Sequence, residues 1–112
     1  MVRRRYIPDR GDIVWVDLNP TKGREQRGKR PAVVVSPRLY NSKTGLALVC
    51  PITSRVKDYP FEVRIGVIRN KSVALTDQLK SIDWEERKVK YVSSVGSKIF
   101  LEIQEKILKL IA

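Results

Sequence analysis

Histidine is absent from the 112 residues, and cysteine occurs once, as Cys50. Without histidine no side chain has an ordinary pKa near neutrality, and there is no imidazole to ligate a metal. One thiol can neither close an internal disulfide nor form a zinc site by itself. In the run LALVCPIT, Cys50 reads as a buried strand thiol, and the compartment as cytosolic. Long hydrophobic runs are lacking too. The basic start, MVRRRYIPDRG, leads into no apolar stretch, so neither an export signal nor a membrane span is expected. Acidic residues are scarce: 12 Asp+Glu stand against 23 Lys+Arg, a formal net charge of +11. That excess attracts polyanions and speeds their encounter. A basic surface in a heat-adapted protein is the plainer source of such a balance.

The length fits one domain over residues 1–112, with a real but small core that oligomerisation would help to stabilise. Short apolar runs punctuated by Pro and Gly dominate up to about residue 95 and read as strands. They are Asp12–Leu18, Pro31–Ser36, Leu46–Thr53, Phe61–Val67 and Ser72–Thr76, with a short sixth through Lys80, Ser81 and Ile82. The second is apolar on both faces and should be central. Between it and the third, residues 37–45 read as a turn-rich connection with room for one helical turn. From Ile99 the period changes: Ile99, Ile103, Ile107 and Ile111 recur every four positions. They mark an amphipathic helix with Ser97 as its N-cap. Closely spaced strands followed by one helix suggest a small bent β-barrel with the helix packed on it.

The segment from Asn19 to Arg30 is too polar and glycine-rich for a strand, and long for a hairpin loop in so small a domain. Such loops are either functional or merely solvated. Its last ten residues carry five basic side chains and one carboxylate, Glu25.

The stretches GDIVWVDLNPTKGREQRGKRPAVVVSP, YNSKTGLALVCPITS, YPFEV and VALTDQLKSIDW closely resemble the MazF/PemK family of mRNA interferases. The likeness runs in the same order from Tyr6 to the C-terminal helix. It implies a five-stranded SH3-like barrel, a homodimer, and an endoribonuclease toxin that cuts single-stranded mRNA at short sequences. By the same resemblance the catalytic positions are Glu25, Arg30 and Thr53. Their chemistry fits attack by a ribose 2′-OH on the adjacent phosphorus, which needs a proton removed, charge on the phosphorane stabilised and the 5′-oxygen protonated. Arg30 offers a permanently charged planar fork. Thr53 can donate one hydrogen bond, and Glu25 can accept the 2′-OH proton or hold Arg30. Read without the resemblance, Glu25 and Arg30 would be an exposed salt bridge. A free carboxylate titrates near about 4.3 and arginine above about 12, so turnover should be modest.

For RNA binding the resemblance points to Trp15, Lys57 and Gln78, with Lys22, Arg24, Arg27 and Lys29 tracking phosphates. An indole can stack a splayed base and an amide can read its edge. Flanked by Val14 and Val16, Trp15 reads equally well as core. Trp84 reads as structural. The arginine that some plasmid-borne members use is Leu75 here, and their histidine is missing, which leaves Asp77 structural or substrate-contacting. No carboxylate cluster has the spacing of a magnesium site, so neither metal nor cofactor is expected. The implied protein partner is an antitoxin with an acidic disordered tail. Two rival readings are a non-catalytic SH3-like RNA-binding module and a gyrase-poisoning toxin on the same fold. Members of the latter class end in a functional tryptophan, whereas this chain ends Lys109-Leu110-Ile111-Ala112.

Overall fold

Apolar side chains on both faces of Ala32, Val33 and Val34 require cover on both sides, and the fold supplies it. In the computed structural model, which describes residues 5–19, 23–24, 28–66 and 71–112, all three are fully buried. They lie on β2 (Lys29–Val34), between β1 (Asp12–Asp17) and β3 (Leu46–Thr53). The other elements are α1 (Arg38–Thr44), β4 (Glu62–Arg64), β5 (Val73–Leu75), a 3-10 turn (Thr76–Gln78), β6 (Lys80–Asp83), β7 (Lys90–Ser94) and α2 (Ser97–Ile111).

The strand order is β4-β5-β3-β2-β1-β7, with β6 paired to the other half of β3. All pairings are antiparallel. The mainly β architecture with a C-terminal helix is as expected. Its details differ: among the described residues there are seven strands rather than five, and β4 and β7 end an open path instead of closing a barrel. The sheet separates two apolar layers. One gathers Ile13, Val33, Cys50, Ile52 and Val63 under Ile103 of α2. The other gathers Val14, Val16, Val34, Val49, Ile82 and Trp84. Successive side chains of a strand point to opposite faces, so Ile13 and Val14, or Val33 and Val34, serve different layers.

Several boundaries move. β2 begins at Lys29, so Arg30 is already in the sheet, opposite Val16. The expected fourth and fifth strands shorten to Glu62–Arg64 and Val73–Leu75. Strand β7 was not foreseen. It is an edge strand, mostly exposed and hydrophilic, that meets β1 through an irregularity at Ile13/Val14, so no apolar alternation marks it. The connection at residues 37–45 does hold helix, seven residues of it rather than one turn. It ends at Gly45, whose φ of 74° suits glycine and whose N–H donates to Asn41 O. Its stability is tertiary. Asn41 is fully buried, accepts from Ser36 Oγ, donates to Pro8 O and Ser36 O, and receives the Trp84 indole N–H at 2.9 Å on its own carbonyl. In α2 the N-cap is Gly96, not Ser97, which has moved inside the helix. Ile103 is fully buried and Ile99 and Ile107 pack beside it, but Ile111 is 75% exposed, so the apolar stripe runs one turn past the core. No helix of the described residues is long and apolar enough to cross a membrane.

Candidate active site

Register decides which side chains share a face. Ala32 pairs with Pro51, Val33 with Cys50 and Val34 with Val49. That pairing ends at Ala32 and Pro51, two residues short of Arg30 on β2 and of Thr53 on β3. Val16 stands opposite Arg30 on one side. Val73 stands opposite Thr53 on the other, and Arg64 opposite Val73. Val16 and Arg30 are thus paired across β1 and β2, and Thr53, Val73 and Arg64 across β3, β5 and β4.

Thr53 is nearly buried, and its Oγ1 accepts the backbone N–H of Arg55 at 3.1 Å. It lies in a cleft of ≈ 360 Å³ that Arg24, Lys57 and Gln78 also line, with Arg55, Tyr59, Glu62 and Leu75. Four of the residues expected from sequence are therefore assembled at one place. Gln78 comes from the 3-10 turn, which interrupts what would otherwise be one strand alongside β3: β5 pairs with Ile52 and Thr53, β6 with Leu46 to Val49. That break projects Thr76, Asp77 and Gln78 beside the cleft.

The loop of residues 54–61 is fastened from outside. The Glu62 carboxylate accepts the N–H groups of Lys57 and Asp58, both at 2.9 Å. The Tyr59 hydroxyl donates to Asp77, 2.7 and 2.9 Å from its two oxygens, and Lys106 Nζ of α2 donates to Pro60 O. Burial, and then the hydrogen bond to Asp77, push the Tyr59 hydroxyl well above its ordinary pKa. Cys50, beneath the cleft, is fully buried. Desolvation, with a smaller contribution from the Asp77 charge, raises its thiol to about 12.

Trp15 and Lys29 are elsewhere. They line a second cavity, of ≈ 750 Å³, with Val16, Asp17, Arg87 and Lys90. Trp15 is 44% exposed, which removes the reading of it as core. Trp84 is buried. Glu25, Lys22 and Arg27 lie outside the described residues. The base of their loop is defined. Leu18 N–H donates to Gly28 O, Gly28 N–H to Asn19 Oδ1 at 3.0 Å, and Arg87 grips the carbonyls of Asp17 and Asn19. Gly28 has φ 84°, a backbone that a side chain would strain.

Sequence reasoning missed Arg55, Tyr59 and Glu62 as cleft residues. Tyr59 and Glu62 stand inside the YPFEV stretch, and Arg55 lies two positions beyond Thr53, but only the folded loop brings them to it. Among the described residues no group of three or more Cys, Asp or Glu side chains gathers as a metal ion would need.

Comparison with known proteins bears on the same residues. The family model described as PemK-like, MazF-like toxin of type II toxin-antitoxin system matches residues 9–111. The endoribonuclease toxin MazF of Escherichia coli strain K12 is 57% identical over 83 residues, covering 74% of this chain and 75% of its own. The endoribonuclease PemK of Escherichia coli is 38% identical over 108 residues, covering 92% and 81%. The crystal structure of MazF from Deinococcus radiodurans superposes with a TM-score of 0.89 at 40% identity, covering 96% of this chain and 98% of its own. A MazE-MazF crystal structure from that organism gives 0.82 at 36% identity, covering 96% and 97%. This chain belongs to the PemK-like, MazF-like toxins of type II toxin-antitoxin systems.

Proposed function

We propose that the chain is a cytosolic endoribonuclease toxin that cuts single-stranded mRNA with the substrate's own 2′-OH as nucleophile and without a metal. The observation that carries this reading is Thr53, at the end of β3, lining a cleft with Arg24, Lys57 and Gln78. A phosphodiester bound there meets a fork of permanent positive charge from Arg30 and a hydroxyl donor from Thr53, the two groups a pentacovalent phosphorane needs. The 2′-oxygen loses its proton and bonds to phosphorus. The bond from phosphorus to the 5′-oxygen breaks and that oxygen takes a proton, leaving a 2′,3′-cyclic phosphate and a 5′-OH. Glu25 is the carboxylate assigned to the 2′-OH proton or to orienting Arg30.

The relatives' names support the class of activity, and the MazE-MazF complex of a 36% identical relative supports an antitoxin as partner. For this chain the partner is a protein with an acidic, disordered tail, drawn by the +11 charge and folding across the cleft as it binds.

The test is chemical. Cleavage of an unstructured RNA should persist in EDTA and yield the cyclic phosphate and 5′-OH ends. A 2′-deoxy or 2′-O-methyl ribose at the cut site should abolish cleavage while weakening binding far less, because phosphates supply most of the affinity. Products with 5′-phosphate and 3′-OH, or activity lost in EDTA and restored by magnesium, would overturn the mechanism. RNA that is bound but never cut would leave only a binding module.

A further inference from the structure

Three cations line the Thr53 cleft among the described residues, and one of them, Arg55, has no role in the reading above. Its backbone is tied to the site, since its N–H donates to Thr53 Oγ1 at 3.1 Å. Its charge is not neutralised by any ion pair among the described residues. Neighbouring charges are differently placed: Arg64 pairs with Asp58 at 3.5 Å. Glu62, the one carboxylate lining the cleft among the described residues, has both oxygens on the amides of Lys57 and Asp58. The loop that carries Arg55 is held in advance by the Glu62 clasp, by Tyr59 on Asp77 and by Lys106 on Pro60 O. A guanidinium on a preset backbone loses less freedom on binding an anion than one on a loose loop.

We propose that Arg55 is a further substrate-binding residue, whose guanidinium holds the RNA phosphate next to the one that reacts at Thr53. β3 ends at Thr53 and the chain bends at Ser54, so Arg55 follows Thr53 round the bend and lines the cleft beside it. Arg24 and Lys57 line the same cleft, so the three cations suit a run of consecutive phosphates rather than a single anion. The inference rests on the endoribonuclease reading for its substrate.

The experiment measures binding of a single-stranded RNA with 2′-O-methyl at the cut site across a salt series, for wild type, Arg55→Gln and Arg55→Lys. Circular dichroism checks that each variant is folded. Arg55→Gln should bind about tenfold more weakly at low salt, the loss of one hydrogen-bonded charge. Its log–log salt slope should be shallower by about 0.7, one phosphate contact on a single strand. Arg55→Lys, which keeps the charge, should restore most of that slope. Neutral methylphosphonates placed one at a time should locate the contact: one position should weaken wild type and leave Arg55→Gln unaffected.

An unchanged slope in Arg55→Gln, or the same methylphosphonate penalties in both proteins, would overturn the assignment while wild-type cleavage left the proposed function standing. Those outcomes would also be expected if Arg55 served an acidic protein partner instead. RNA bound but not cut by wild type would sink the proposed function, with the salt slope still deciding on Arg55. Wild type that neither binds nor cuts RNA would overturn both.

Discussion

Tyr59 and Asp77, eighteen positions apart, are joined across the mouth of the cleft by a hydroxyl that lies 2.7 and 2.9 Å from the two carboxylate oxygens. The bond links the loop carrying Arg55 and Lys57 to the turn carrying Gln78. Burial and this contact raise the Tyr59 pKa above its ordinary value of 10.0. A raised pKa in the fold means that the contact stabilises fully below about 10 and that this stability is lost as pH rises further. Tyr59→Phe should raise the RNA concentration needed for half-maximal rate several-fold, leave the rate at saturation nearly intact, and remove one late-ionising phenol from an ultraviolet titration. A wild-type titration with every tyrosine ionising near 10 would contradict the bridge.

Arg30 and Thr53 stand on neighbouring strands and differ in what they can offer. Arg30→Ala should slow single-turnover cleavage by roughly 10²-fold or more, about 3 kcal/mol of transition-state stabilisation. Thr53→Val should slow it less, since one neutral hydrogen bond is lost. Both should remain folded. A near-native rate for Arg30→Ala would take Arg30 out of the mechanism.

The buried thiol makes a pH prediction. Cys50 is raised from 9.0 to about 12, so it stays protonated in the fold where the unfolded chain would ionise. Its contribution to stability is whole below 9.0 and is lost as pH climbs from there toward about 12. A thiol reagent in mildly alkaline buffer should label the native protein slowly and the denatured protein at once. The denaturation midpoint should fall less steeply with alkaline pH in Cys50→Ala than in wild type. Rapid native labelling would refute the burial.

Asn41 is a polar residue at the centre of a network. Its side chain satisfies Ser36 and Pro8, and its carbonyl receives the Trp84 indole. Asn41→Leu would take the side-chain partner from Ser36 Oγ and from the carbonyls of Pro8 and Ser36, while keeping the backbone carbonyl that receives Trp84, and should cost about 2–4 kcal/mol. In a domain of this size that lowers Tm by roughly 10 °C or more. A loss of only a few degrees in calorimetry would mean that water replaces the side chain.

Leu101 and Ile111 of α2 are 61% and 75% exposed, apolar side chains of the kind that a symmetric homodimer would cover. Sedimentation at micromolar protein should give about twice 12.9 kDa. A single species near the monomer mass would count against the dimer.

What the sequence alone determined was local and periodic. The apolar run around Val33 announced a central strand, and the four-residue spacing of Ile99, Ile103 and Ile107 announced α2, because periodicity reports which face is buried. The resemblance supplied Thr53, Lys57, Gln78 and Arg24 as a set. Tertiary structure decided the rest. Strand β7 is invisible to a hydrophobic pattern because it gains its partners at an edge and buries little. Helix α1 depends on Asn41 reaching Ser36 and Pro8, contacts that composition cannot reveal. The division of the binding candidates between two cavities, Trp15 and Lys29 lining one and Thr53, Arg24, Lys57 and Gln78 the other, follows from how the strands pair, and a shift of one residue in register would turn each strand's side chains to the other face. Arg55 and Glu62 reach the cleft only through hydrogen bonds that close a loop, and those depend on distances in space that the order of residues does not contain.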